Sequence, residues 1–510
     1  MKVTTNKWSI ARRKLSWWCA ASLSVFTAAS CAAVDTPKQP NVLLILVDDL
    51  RPAIGAYGDP LAITPNLDKL AANSLLFEQA YANQAVCGPS RYNLLFGSRS
   101  TSSGIYGFGQ AFRDPFPDAV SLPQYFKQHG YHTESMGKVF HVGHGTYGDT
   151  ASWSVPHHGD LVIEYVDSAS KKNGFTREEA LFSNQSAQGL PRGLAWESPD
   201  VADDAYADGR TAARAVDRLR DLNEHPDQPF FLAVGFARPH LPYSVPQQYW
   251  DLYDESKLPL PAINTRPEGA PPYAVKYGTE IDQFIPVPTK VTAEPFADTL
   301  TRKLIHGYYA AVSYVDNQIG TVLNELAALG LDENTIVVLW GDHGYMLGEM
   351  GMWTKHVNYE LANHIPLMIS APGVTQPGSK TAQFAETVDI YPTLAELAGL
   401  PTPQVQQPID GLSMVPVMKD TETRIRDHAY HSFPRGGRLG RAIRAGHYRL
   451  VEWKKIDDST APVDYELYDY QNGVMETKNI ADERPDVRDS LLAILATHPE
   501  AAPRGGERKQ

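Results

Sequence analysis

Cysteine is nearly missing from this chain: 510 residues hold three, Cys19, Cys31 and Cys87. Two of them fall in the N-terminal stretch, so the body has one thiol and no disulfide framework to staple it. Positive charge is also short. Lys and Arg total 46 against 59 Asp and Glu, a formal net charge of −13. That disfavours non-specific nucleic-acid binding, which needs a basic footprint, so no nucleic-acid partner is expected. An anionic substrate stays possible, because a local field can oppose the net charge. Internal repeats, heptad runs and long low-complexity linkers are absent, which removes solenoids and coiled coils. No apolar run reaches the roughly 20 residues of a membrane span; Leu15 to Ser30 comes nearest and is short.

That stretch follows a basic region of Lys2, Lys7, Arg12, Arg13 and Lys14, and reads as an export signal. Ala28-Ala29-Ser30-Cys31 resembles a lipoprotein cleavage site with Cys31 as the lipidated residue. Cleavage near Ala33 is the alternative. Residues 1–33 are therefore expected to be a signal peptide, and the protein to be exported, either periplasmic or a membrane-anchored lipoprotein.

In the body, Asn41 to Val47 is an apolar, β-branched run that ends in Asp48-Asp49. It reads as a buried parallel-sheet strand with acids at its carboxyl end. Thr64-Pro65 opens a helix carrying Leu67, Leu70 and Ala71 on one face. Pro89 lies just inside another, which puts Cys87 at a helix N-terminus, where free N–H groups favour an anion. Pro229 to Phe236 and Thr335 to Trp340 are further apolar strands, leading into Arg238-Pro239-His240 and Gly341-Asp342-His343-Gly344. Tyr308 to Leu329 has helical periodicity, and Pro366 to Ser370 is a last strand of this type. Alternating strands and helices predict an α/β layered fold, with ligands beyond the strand carboxyl ends. After about residue 412, Arg441 to Trp453 and Tyr465 to Tyr470 read as short strands, and Pro485 to Thr497 as a closing helix.

Paired carboxylates at a strand end usually mark a solvated turn, but they are also a common way to present hard oxygen ligands. Asp342 adds a third carboxylate and His343 a nitrogen; the set suits Ca²⁺ or Mg²⁺ better than Zn²⁺. Lys138, His141 and Lys355 supply further charge, and Arg91 lies about one helical turn beyond Cys87. For each alone, a surface or core role is the commoner one. Lys138 and Lys355 are expected at the surface of a cleft, and Arg91, Lys138, His141, His240 and Lys355 are expected to line one pocket beside Cys87.

Cys87-Gly-Pro-Ser-Arg91 resembles the site at which sulfatases convert cysteine to formylglycine. Thr64-Pro-Asn-Leu-Asp-Lys-Leu-Ala71, Gly137-Lys-Val-Phe-His141, Arg238-Pro-His240 and Gly341-Asp-His-Gly-Tyr-Met-Leu-Gly348 follow in the order of the sulfatase family, in its iduronate-2-sulfatase-like branch. The resemblance implies an alkaline-phosphatase-like α/β fold: a mixed, mostly parallel sheet flanked by helices, with a smaller C-terminal α+β subdomain. The change of texture near residue 412 divides the chain into a catalytic domain (34–412) and a smaller subdomain (413–510), whose polar tail is expected to be disordered. The resemblance implies one Ca²⁺ on Asp48, Asp49, Asp342, His343 and the modified Cys87. Arg91, Lys138, His141, His240 and Lys355 would then bind sulfate or move protons. It also implies a formylglycine-generating enzyme as maturation partner and a sulfated sugar or polysaccharide, of glycosaminoglycan or algal type, as substrate. In the mechanism so implied, hydrated formylglycine attacks sulfur, His240 and Lys355 serve the leaving oxygen, and His141 drives the elimination that releases sulfate. Two departures stand out: Phe96 replaces the family's usual Thr, and Arg99 is displaced by one position. The alternatives are a phosphonate or phosphate-ester hydrolase of the same superfamily, or a non-catalytic lipoprotein that binds sulfated glycans.

Overall fold

Strands of this chain are mostly buried on both faces, and that dictates layers. The computed structural model describes residues 39–503 apart from 162, 173 and 474. The export segment, Cys31 and the expected tail beyond 503 lie outside the described residues.

The central sheet contains β1 (Asn41–Val47), β2 (Leu75–Tyr81), β3 (His132–Gly137), β4 (Phe230–Phe236), β5 (Thr335–Gly341), β6 (His364–Ile365), β7 (Leu367–Ser370) and β8 (Ser379–Glu386). From one edge, β3, β4, β1 and β5 run parallel. β7 then pairs antiparallel with β5 and β2. β6 continues β7 along β2, interrupted at Pro366, a residue that cannot donate to a ladder. β8 closes the sheet in parallel with β2. This is the mixed, mostly parallel α/β architecture expected.

Alternate residues of β1 serve opposite faces. Leu43, Ile45 and Val47 join one core, and Val42, Leu44 and Leu46 the other. The longer helices are α1 (Pro65–Ala71), α2 (Cys87–Phe96), α3 (Leu122–Gln128), α4 (Arg177–Phe182), α5 (Ala207–Asn223), α6 (Asp298–Ala328), α7 (Ile390–Leu397) and α8 (Pro485–Leu495). The first core takes Leu67 and Leu70 from α1, Ala212 and Leu219 from α5, and Leu304 and Val315 from α6. The second takes Leu94 and Leu95 from α2, Phe126 from α3 and Leu394 from α7. Among the described residues, no helix is long and apolar enough to cross a membrane.

A second, antiparallel sheet follows in sequence: β9 (His428–Arg435), β10 (Arg438–Ala445), β11 (Tyr448–Lys455) and β12 (Asp464–Asp469), paired in that order. The expected single strand from Arg441 to Trp453 is two strands. The chain reverses at Gly446, whose φ of +54° suits glycine. Arg449 ties this sheet to the segment beyond Lys355. It is fully buried, donates to Asn358 O at 3.0 Å, and pairs with Glu360 at 2.6 Å and Glu476 at 3.4 Å.

Candidate active site

Val47 pairs with Gly341, so β1 and β5 end side by side. Asp48-Asp49 and Asp342-His343 therefore leave the sheet at one place. The Asp342 N–H donates to Val47 O at 3.1 Å, and the Asp49 N–H donates to Asp342 Oδ1 at 3.1 Å. Asp49 holds φ at +57°, a region Asp tolerates better than most residues. β3 ends at Gly137, with φ +64°; a Cβ there would lie 2.0 Å from Gly235 O. This glycine lets the chain hug β4 and aims Lys138 at Asp48, to which its ammonium donates.

Cys87 is the first residue of α2. Val86 caps that helix without a side-chain hydrogen bond, leaving first-turn N–H groups free of a capping side chain. Ser90 Oγ donates to Asp342 O at 2.5 Å. Arg91, fully buried, lies beneath the thiol: its Nε donates to Asp342 Oδ2 at 3.1 Å, and its Nη2 lies 3.4 Å from Asp48 Oδ1. Its Nη1 donates to the carbonyls of Lys138 and Val139. One guanidinium thus joins the ends of β1, β3 and β5.

His343 donates from Nδ1 to Gly344 O at 3.0 Å, which leaves the Nε2 lone pair facing Cys87 Sγ at 3.2 Å. Burial lowers its pKa to about 4, so it stays neutral and able to ligate. Burial would raise Asp48, but Lys138, His240 and Arg91 outweigh it and hold the carboxyl well below the usual range. Asp342 is pushed up to about 7 by burial and by Asp48 beside it. Burial raises the Cys87 thiol well above its ordinary value, with Asp48 adding. An unmodified Cys87 is therefore a poor nucleophile at neutral pH. Ligand atoms of Asp48, Cys87, Asp342 and His343 lie within 4.8 Å of one another, as do those of Asp48, Asp49, Cys87 and His240. Lys355 Nζ grips both oxygens of Asp49, at 3.0 and 3.1 Å, and Asp49 Oδ1 lies 3.5 Å from His343 Nδ1. Three carboxylates and one imidazole with a free lone pair fit a hard divalent cation.

Beside this cluster is a cavity of about 180 Å³ whose lining includes Cys87, His141, His240 and Lys355. Arg91 and Lys138 do not line it, contrary to the sequence expectation. Arg91 lies below, and Lys138 faces a second cavity beyond Phe182. Lys138 and Lys355 each line a cavity, as a cleft surface requires, yet neither is open to bulk solvent. They are 3% and 2% exposed, because each ammonium is neutralised by an aspartate from β1 and can be buried with it. His240 donates from Nδ1 to Leu241 O at 2.6 Å and meets Glu280 Oε1 at 2.5 Å through Nε2. Burial would lower its pKa, but Glu280 outweighs it and the pKa is raised. His141 is held well below its ordinary value by burial, and its Nε2 lies 3.2 Å from His144 Nδ1.

Sequence reasoning missed Glu280, Glu178, His144, Phe108 and Phe182, all of which line the cavity. Phe182 packs against His141, His144 and His240 with ring centroids at 5.0–5.4 Å. Only His144 carried a readable signal, three residues after His141. The glutamates sit in a short helix and a long loop with no flanking pattern.

Residues 40–400 match the family model described as Sulfatase. The chain belongs to the sulfatase family. Residues 348–496 of this sulfatase also match the C-terminal model of N-sulphoglucosamine sulphohydrolase. It is 35% identical to iduronate 2-sulfatase of Mus musculus over 423 residues, covering 76% of this chain and 75% of the relative. It is 33% identical to a sulfatase of Formosa agariphila over 439 residues, covering 82% and 79%. Among solved structures, it resembles a protein bound to its substrate D-glucosamine-2-N,6-O-disulfate, with TM-score 0.69, 22% identity, and 90% and 97% of the two chains covered. A phosphonate monoester hydrolase from Silicibacter pomeroyi has the same TM-score, 24% identity, and 90% and 95% covered, which shows the common fold. The sulfatase is a sulfuric ester hydrolase.

Proposed function

We propose that this sulfatase hydrolyses a sulfate ester of a sulfated saccharide, of glycosaminoglycan or algal polysaccharide type, with Cys87 converted to formylglycine as the nucleophile. The observation that carries this reading is the position of Cys87. Its Sγ faces a neutral histidine and three carboxylates on one side, and a cavity lined by His240, Lys355 and His141 on the other. The iduronate 2-sulfatase relatives support a uronate-bearing or similar sugar. A cavity of about 180 Å³ is small beside the few hundred Å³ of drug-sized sites, which suits one ring.

Asp48, Asp49, Asp342 and His343 would hold Ca²⁺. When bound, the ion would supply positive charge to the sulfate oxygens and the residue-87 side chain. Arg91 fixes the orientation of Asp48 and Asp342 around the nucleophile. Lys138 balances Asp48, and Lys355 balances Asp49 while reaching the cavity. His240 holds a proton on Nε2, in position to pass it to the leaving sugar oxygen. His141, kept neutral by burial, is the base for the proton released when the residue-87 aldehyde re-forms, and His144 orients it. A formylglycine-generating enzyme would mature the chain, and export would end in lipidation at Cys31.

The test is sulfate release from iduronate 2-sulfate, from other sulfated saccharides and from aryl sulfate. It uses protein matured with the modifying enzyme, with mass spectrometry of the Cys87 peptide. Activity that needs the aldehyde and Ca²⁺ supports the reading. Full activity with an unmodified thiol, or faster cleavage of phosphonate and phosphate esters, defeats it. Incorporation of labelled palmitate that survives Cys31→Ser would defeat the anchor.

A further inference from the structure

The cavity has two electrical halves. Near Cys87 it presents Lys355 and His240; Glu280, ion-paired with both, continues to Glu178 as an acidic stretch of the same wall. These glutamates and His240 have ligand atoms within 4.8 Å of one another. Glu178 comes from the first turn of α4. It is 3% exposed, yet makes no hydrogen bond or ion pair among the described residues. As part of the cavity lining, this carboxylate is open to a donor that arrives with a ligand. Burial, followed by the charge of Glu280, pushes its pKa up to about 7, while His240, Lys355 and Lys138 pull the other way.

Glu280 is the counterpart. Its two oxygens lie 2.5 Å from His240 Nε2 and 2.6 Å from Lys355 Nζ. Those are the two donors assigned to the leaving oxygen, so the carboxylate sits beside the carbon that bears the sulfate. The preceding residue, Thr279, holds φ at +133°, which a β-branched residue rarely adopts. Strain of that kind persists where the fold holds a side chain against a site.

We propose that Glu178 and Glu280 are the specificity-determining residues for the leaving group, accepting hydrogen bonds from a free hydroxyl next to the sulfated carbon of the saccharide. A second sulfate or an ether at that neighbouring position is rejected. The anion brings the sulfate to the cationic half, and the hydroxyl satisfies the acidic half. A site built to bond a hydroxyl discriminates strongly against the analogue lacking it, because its own polar group is left unpaired.

This inference rests on the sulfatase reading, and the test separates the two. Matured enzyme is assayed with 4-nitrophenyl sulfate, 2-hydroxyphenyl sulfate and 2-methoxyphenyl sulfate. The last two are monoanions of similar leaving-group basicity that differ in the neighbouring donor. The wild type is expected to favour the hydroxyl compound by ~10–100-fold in kcat/KM. Glu178→Ala is expected to bring that ratio within about threefold of unity, and Glu178→Gln, which keeps one acceptor, to hold part of it. Glu280→Gln should lower the ratio and raise KM for the hydroxyl compound. A wild-type ratio near one, or a ratio that Glu178→Ala leaves intact, overturns the proposal while 4-nitrophenyl sulfate turnover keeps the sulfatase reading. No turnover of any of the three esters or of a sulfated saccharide overturns both.

Discussion

Replacing Lys138 with Met tests whether the active site is a balanced charge cluster or a loose set of side chains. The ammonium and Asp48 are 3% and 0% exposed, and Lys138 donates directly to that carboxylate. Removing one member of a buried pair leaves the other charge uncompensated, at a cost of about 3–5 kcal/mol. Arg91 Nη2 remains 3.4 Å from Asp48, so the lower end, ~3 kcal/mol, is expected. Asp48 is depressed in the fold, so its contribution to stability is present above its unfolded pKa and fades as pH falls through the folded value. The deficit of Lys138→Met is therefore largest at neutral pH and shrinks below about pH 4. Urea denaturation at pH 7 and at about pH 2.5 reads this directly. The double variant Asp48→Asn/Lys138→Met should recover most of the stability, because both charges leave together. Turnover should fall by ~10²–10³ in either variant and stay low in the pair. A Lys138→Met protein within about 0.5 kcal/mol of wild type at pH 7 would refute the buried-pair argument. Recovered activity in the double variant would remove both residues from catalysis.

Three further outcomes follow from single contacts. Gly137→Ala places a Cβ 2.0 Å from Gly235 O at a positive φ; it should cost at least ~2 kcal/mol and depress turnover through Lys138, and an unchanged melting temperature would contradict this. Arg449→Met leaves Glu476 buried without its cation and Glu360 with Arg444 alone; a loss of ~3 kcal/mol is expected by denaturant titration, and a change below about 1 would show that the network is not needed to hold the second sheet. His144 is held at about 4, chiefly by burial. Its depressed pKa removes stability as pH falls from about 6.5 to about 4. Relative to His144→Gln, the wild type should weaken across that window, and parallel pH–stability curves would sink the assignment.

Much of the site was legible before any coordinates because it depends on local chemistry. An apolar run followed by Asp48-Asp49 names a strand and what it presents at its end, and the same reasoning located Asp342 and His343. Pro89 and the motif around Cys87 marked a helix start. The hairpin at Gly446 was missed because β10 and β11 share one β-branched and aromatic texture, and periodicity does not register a single reversal. The glutamates were missed because an isolated acid in a loop looks like solvated surface. Only the long-range pairing of Glu280 with His240 and Lys355 shows otherwise.

The sequence by itself determined which groups the strand ends and the α2 start present, since residue type, strand-end position and motif order are written along the chain. Tertiary structure alone decided how those charges are shared. Lys138 and Asp48 are 90 residues apart, and Lys355 and Asp49 are 306 apart. Pairing across such separations makes burial affordable, so two lysines that line cavities are themselves closed to bulk solvent. Arg91 became the brace beside Cys87 for the same reason: three strands had to end together before one guanidinium could reach them all. The acidic wall formed by Glu178 and Glu280 likewise exists only once α4 and a distant loop close on one cavity, because burial and charge depend on neighbours in space, not in sequence.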